Sequence, residues 1–149
     1  MRALIQRVSA ASVAVDGVHV GQIEKGLLIL LGVGEGDEMQ DISYLVQKII
    51  QMRIFSDENG KMNLSIQDVK GELLVVSQFT LFADTRKGNR PSFIKSAPAN
   101  LANERYQAFI QLLQTLSGLK VETGQFGADM KVSLINDGPV TIWMDSKEP

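Results

Sequence analysis

Apolar positions recur along the chain with two periods, and the changes of period mark out its elements. Val13 and Val15 lead into Asp16-Gly17, and Val18 and Val20 follow it. A two-residue Asp-Gly loop favours a type I′ turn, so the spacing predicts a hairpin with all four valines on one face. Leu27-Leu28-Ile29-Leu30-Leu31 is apolar at every position, as expected of a central strand covered on both sides. The period then lengthens. Ile42, Leu45, Val46, Ile49 and Ile50 form one helical stripe, with Asp37 placed to cap its start. Arg53 to Ser56 reads as a short strand before the turn Asp57-Glu58-Asn59-Gly60, and Leu73 to Val76 as a buried strand running into Ser77-Gln78-Phe79-Thr80. Asp84 to Pro98 has the composition of a loop. Ala102, Tyr106, Phe109, Leu113 and Leu116 make a second helical stripe that ends before Gly118. Val132 and Leu134, then Val140, Ile142 and Met144, alternate with other residues on either side of Asn136-Asp137-Gly138-Pro139, which predicts two strands around a turn.

Strands come first and last with two helices between them, without the strict alternation of a doubly wound parallel sheet. This order predicts an α+β fold with mixed, mainly antiparallel pairing. At 149 residues one domain spanning 1–149 is expected, since a chain of this size buries roughly two-thirds of its unfolded surface without needing a disulfide or a structural metal. No repeat or linker interrupts it.

Composition narrows the chemistry. With no cysteine and a single histidine, His19, the chain lacks thiol nucleophiles and thiolate metal sites, and it is a poor host for a histidine-rich zinc centre or a Ser-His-Asp triad. Neither a metal nor a cofactor is expected. His19 falls on the predicted hairpin and is read as a solvated imidazole. No apolar run approaches the ~20 residues of a membrane span, and Ala3 to Ile5 is too short for a signal-peptide core, so a cytoplasmic protein is expected. The net charge of −2 excludes a generally basic nucleic-acid coat. Locally the balance reverses: between Asp84 and Lys95 four cations, Arg86, Lys87, Arg90 and Lys95, face one anion, Asp84. Such a segment is either a solvated loop or a grip for phosphates.

Three further segments have both a structural and a chemical reading. Gly32-Val33-Gly34-Glu35-Gly36-Asp37 follows a buried strand as a dinucleotide fingerprint would, but Asp37 stands where the third glycine belongs, and Glu35 and Asp37 would repel a pyrophosphate. It reads as a strand-to-helix turn. Ser77-Gln78-Phe79-Thr80 is either the polar end of a strand or a site. Asn136-Asp137-Gly138-Pro139 is either an ordinary turn or, with a cis Gly-Pro bond, a rigid pair of carbonyl acceptors for an ammonium group.

Those last two segments resemble the two signature motifs of the D-aminoacyl-tRNA deacylases, as Ser77-Gln78-Phe79-Thr80-Leu81 and Asn136-Asp137-Gly138-Pro139-Val140-Thr141. The resemblance extends to Leu4-Ile5-Gln6-Arg7-Val8, the strand from Gly26 to Val33, Arg53-Ile54-Phe55 with Lys61-Met62-Asn63, and Arg90-Pro91-Ser92-Phe93. It implies a homodimeric hydrolase, with active sites at the subunit interface, that cleaves D-aminoacyl-tRNA, and glycine mischarged on tRNA, to free amino acid and tRNA. It implies a catalytic segment of Ser77, Gln78, Phe79 and Thr80, and substrate binding by Asn136, Gly138 and Pro139. A cis Gly138-Pro139 turn from one subunit would enter the other's pocket, hold the α-amino group and exclude L side chains by collision. Arg86, Lys87 and Arg90 would contact the tRNA.

For the chemical step two routes are open. Thr80 could act as a nucleophile, but no activating base is evident. The favoured route has the 2′-hydroxyl of the terminal ribose assist attack, while Gln78 and the Phe79 backbone position the adenosine and ester and main-chain N–H groups near Phe79 and Thr80 hold the oxyanion. Pattern and resemblance together predict an α+β domain with mixed, mainly antiparallel, barrel-like sheets packed with two main helices. The rival reading from another class is a non-catalytic RNA- or amino-acid-binding module assisting a synthetase.

Overall fold

In the computed structural model, which describes residues 1–149, the unbroken apolar run becomes the middle of a mixed sheet. Strand β3 (Gly26–Gly32) lies between β1 (Arg2–Val15) and β6 (Glu72–Ser77), antiparallel to the first and parallel to the second. β2 (Val18–Ile23) and β7 (Val121–Thr123) end the path β2-β1-β3-β6-β7, and β8 (Lys131–Asp145) pairs along β1. The sheet curls, giving a nearly closed, barrel-like α+β fold. A separate two-stranded sheet joins β4 (Phe55–Ser56) and β5 (Met62–Leu64).

Alternate residues of β3 and β6 feed two cores. Leu27, Ile29, Leu31, Leu73 and Val75 face the helices α1 (Met39–Gln51) and α2 (Ala99–Ser117), where they meet Ile42, Leu45, Val46, Ile49, Phe109 and Leu113. Leu28, Leu74 and Val76 face the inside of the curl with Val8, Val13 and Ile23. Each such side chain contributes about 1.5–3 kcal/mol relative to an exposed one, which explains why this strand pattern needed cover on both sides.

Several expectations are corrected by packing. The β1–β2 hairpin forms with left-handed residues at Asp16 and Gly17, but the register slips so that Val13 pairs with Gly21. Val20 is thereby displaced from the face of Val13, which is buried, while Val18 is 64% exposed; the four valines do not share one face. Glu38, not Asp37, caps α1, and its N–H is held by Asp41 at 2.8 Å. Asp37 is buried instead, accepting from the Met1 ammonium and the Gly34 N–H, both at 2.6 Å. The strand expected over Arg53–Ser56 shortens to Phe55–Ser56. Leu116 is exposed because Ile110, Leu113 and Ser117 take the inward positions of α2. Finally, Asn136–Pro139 does not reverse the chain: Asn136 pairs with Val8 and Thr141 with Gln6, so the segment is a bulge thrown out of one continuous strand.

Candidate active site

The parallel strands β3 and β6 end side by side, and a cavity of about 540 Å³ opens beyond their carboxyl ends. Crevices at such ends are where open sheets with parallel strands bind ligands. Val33, Ala97, Ala102, Phe126 and Met130 are among its apolar walls, and Ser77 and Gln78, with Phe79, supply its polar edge. The site therefore pairs apolar walls with a few directed polar groups, as small-molecule pockets do.

The Ser77 segment is held from beneath. Tyr106 of α2 donates from its buried hydroxyl to the Val75 carbonyl at 2.8 Å; burial pushes this phenol up to about 12, so it stays a donor at any physiological pH. The Gln78 N–H donates to the Leu31 carbonyl at 2.8 Å, tying the segment to the central strand. The chain then enters a short 3-10 helix, Phe79–Phe82. Its first N–H groups have no partner within the helix, which leaves those of Phe79, on the cavity lining, and of its neighbour Thr80 as free donors. Phe79 is 53% exposed and stands edge-on to Phe93, ring centres 5.0 Å apart. The Gln78 side-chain amide donates to the Thr80 hydroxyl.

Three of the four residues expected to act together, Ser77, Gln78 and Phe79, line the cavity; Thr80 stands outside the lining and reaches it through Gln78. No general base accompanies them. Asp129 is the one ionisable residue on the lining, and its carboxylate is 88% exposed and paired with Lys131 at 3.3 Å.

Asn136, Gly138 and Pro139 do not line this cavity. Their bulge stands on β8, whose Ile135 and Trp143 are 62% and 51% exposed. Asn136 spans it, accepting from the Val140 N–H at 2.8 Å and donating to the Val140 carbonyl and the Thr141 hydroxyl, each at 3.1 Å. The Gly138-Pro139 bond is cis, and Gly138 has φ +151°, a conformation open chiefly to glycine. A Cβ there would lie 2.7 Å from the Val140 side chain and 2.8 Å from its nitrogen.

Arg7 was not expected to bear on either motif. Its guanidinium donates to the Asp137 carbonyl at 2.7 Å and to the Ile54 carbonyl at 2.6 Å, bracing the bulge against the chain before β4. The available signal was an arginine between Ile5 and Val8, both fully buried. The walls of the cavity, Ala102, Phe126 and Met130, also went unforeseen, because apolar residues at such spacings are indistinguishable from core.

In the basic loop the cations are not equivalent. Arg86 is paired with Asp84, whose carboxyl its hydrogen bonds hold far below the usual carboxylate range. Lys87 and Arg90 are exposed and join no ion pair. His19 is exposed on β2, away from both motifs. No helix is long and apolar enough to cross a membrane.

The family model described as D-Tyr-tRNA(Tyr) deacylase matches residues 4–145. The D-aminoacyl-tRNA deacylase of Thermosipho africanus is 60% identical over 148 residues, covering 99% of each chain. That of Flavobacterium johnsoniae is 58% identical over 147 residues, covering 99% of this chain and 98% of the relative. Among solved structures, one titled "c-Myc DNA Unwinding Element Binding Protein" superposes with a TM-score of 0.92 at 40% identity over 97% of this chain and 98% of the other. A second, titled as a probable eukaryotic D-amino acid tRNA deacylase, gives 0.81 at 16% identity over 96% and 97%, a likeness of fold. The chain belongs to the D-Tyr-tRNA(Tyr) deacylase family, a family of hydrolases.

Proposed function

We propose that this member of the deacylase family works as a homodimer of one domain, residues 1–149, and hydrolyses the ester between a D-amino acid, or glycine, and the 3′-terminal adenosine of tRNA. One observation carries the reading: the Ser77 motif edges a cavity of about 540 Å³, whereas none of Asn136, Gly138 and Pro139 lines it. Two motifs that serve one reaction but do not meet within a chain are brought together by a second copy. The exposed apolar residues of β8 beside the bulge, Leu134, Ile135 and Trp143, supply a surface for that contact.

In this arrangement the cavity takes the adenosine, with Phe79 against the base and Gln78 orienting the ester. The N–H groups of Phe79 and Thr80 hold the oxyanion that develops on the ester carbonyl. The ribose 2′-hydroxyl assists the attacking water, so the protein need not provide a base and works by orientation. Arg7 occupies the Asp137 carbonyl, and the carbonyls of Gly138 and Pro139 receive the α-ammonium group. An L side chain then runs into the bulge while a D side chain points away. Lys87 and Arg90, with Arg86 in a lesser role, contact the acceptor-end phosphates, giving modest, salt-sensitive binding. A cytoplasmic location accords with this substrate.

Deacylation of matched D-tyrosyl- and L-tyrosyl-tRNA by the purified protein tests the reading, with a Gly138→Ala/Pro139→Ala double variant as control. Release of the D-ester alone, lost in the double variant, is expected. Release of both esters overturns the role of the bulge, and binding without release of either turns the protein into a non-catalytic module. Light scattering that gives a monomer mass overturns the shared site.

A further inference from the structure

The 3-10 turn Phe79–Phe82 presents the groups closest to the proposed chemistry, yet it is only four residues long. The bonds that tie its ends to the flanking residues are Leu81 N–H to the Gln78 carbonyl at 3.2 Å and Ala83 N–H to the Thr80 carbonyl at 3.0 Å. A 3-10 turn has poorer hydrogen-bond geometry than an α-helix, so its surroundings must set its position. From below it rests on the end of β3 and the residues after it. A Cβ at Gly32 would lie 3.0 Å from the Gln78 carbonyl oxygen and 3.2 Å from the Leu81 Cβ, and one at Gly34 would lie 2.8 Å from the Phe82 ring. The glycine-rich segment that resembled a nucleotide fingerprint is thus a seat for this turn.

Its Leu81–Phe82 end is also held by the side chain of Arg2. Arg2 donates from Nη1 to the Leu81 carbonyl and from Nε to Asp145, each at 3.0 Å. Its guanidinium carbon lies 4.5 Å from the centre of the Phe82 ring and 5.6 Å from that of Trp143. Two of these partners belong to the turn and two to β8. A planar guanidinium can make these bonds in two directions while stacking on aromatic faces, which a lysine ammonium cannot do.

We propose that Arg2 is a positioning residue for the hydrolysis: by clamping the Leu81–Phe82 end of the turn to β8 it fixes where the Phe79 and Thr80 N–H groups point. This rests on the reading of those groups as oxyanion donors. Arg2 does not line the cavity, so its loss acts on the chemical step and spares binding of the adenosine.

The test compares Arg2→Met and Arg2→Lys with the unaltered protein in steady-state deacylation of D-tyrosyl-tRNA, thermal melting and amide hydrogen exchange. Arg2→Met is expected to lower kcat at least tenfold with KM within twofold, and to speed exchange selectively at Leu81–Ala83, while the melting temperature barely moves. Arg2→Lys, which keeps the charge but not the two-way fork, falls between. A kcat equal to that of the unaltered protein overturns the inference. So does exchange that quickens throughout the chain with a matching fall in melting temperature, because Arg2 is then a general stabiliser. If the unaltered protein releases no D-ester, the proposed function fails, and selective exchange at Leu81–Ala83 still decides whether the clamp exists.

Discussion

Ser77–Thr80 and Asn136–Thr141 are both polar interruptions of apolar strands, and they are held in opposite ways. The first continues a strand whose middle, Leu73 to Val76, is buried, with Tyr106 bonded to Val75 beneath it and Gln78 tied to Leu31. The second is thrown out of a strand on the outer surface and is held by the side chains of Asn136 and Arg7. A site that grows from the core inherits its rigidity from packing, so its own polar side chains can change at modest cost. The bulge has only the hydrogen bonds of Asn136, one long-range brace from Arg7 and one permissive glycine, so small changes there should ruin function while leaving the fold standing.

The contrast is sharpest at Gly138. Gly138→Ala forces a Cβ into Val140 and is expected to lower kcat/KM for D-tyrosyl-tRNA about 100-fold, or about 2.7 kcal/mol in the barrier. Thermal melting should show a smaller effect, since within the segment only Val140 reaches a core. A parallel collapse of stability would erase the distinction between the two motifs. Arg7→Met removes both braces of the bulge and should cost on the order of tenfold in kcat/KM, with measurable release of L-tyrosine where the parent shows none; unchanged chiral selectivity would mean that the bulge needs no brace.

At the core-grown motif, Phe79→Ala is expected to raise KM about tenfold with kcat nearly kept, the scale of one lost base–aromatic contact of about 1–3 kcal/mol. Lys87→Ala/Arg90→Ala should flatten the dependence of tRNA affinity on log salt by about one to two units of slope. Arg86→Ala should flatten it less, because Asp84 already occupies that guanidinium. Smallest of all, Thr80→Ala should stay within about tenfold of the parent in single-turnover deacylation if the substrate's own hydroxyl assists attack. Activity at background would make Thr80 the nucleophile and reverse the assignment.

The strands and both helices were legible wherever burial repeated regularly, as in Leu27–Leu31 and the Ile42–Ile50 stripe. Reading failed where one contact outweighed local pattern. Asp37 suits a cap, but its carboxylate is taken by the Met1 ammonium, so Glu38 begins the helix. Leu116 belongs to the stripe by spacing, but Ser117 occupies the inward position. Asn136–Pro139 has the composition of a turn, and only its pairing with β1 on both sides makes it a bulge. Arg7 and Arg2 were silent because an arginine's partners lie far along the chain, at Asp137 and Ile54 for one and at Leu81 and Asp145 for the other.

The linear order of residues determined the α+β class and the central strand, because hydrophobic period and turn chemistry act over a few residues and are written locally, and the two motifs stood out through their resemblance to a family's signatures. Tertiary structure alone decided that the two motifs do not line one cavity, that the cavity is walled by Ala102, Phe126 and Met130, and that Arg86 is already spent on Asp84. Each of these depends on which distant segments the curled sheet brings within a few ångströms, and that distance is a property of the closed fold.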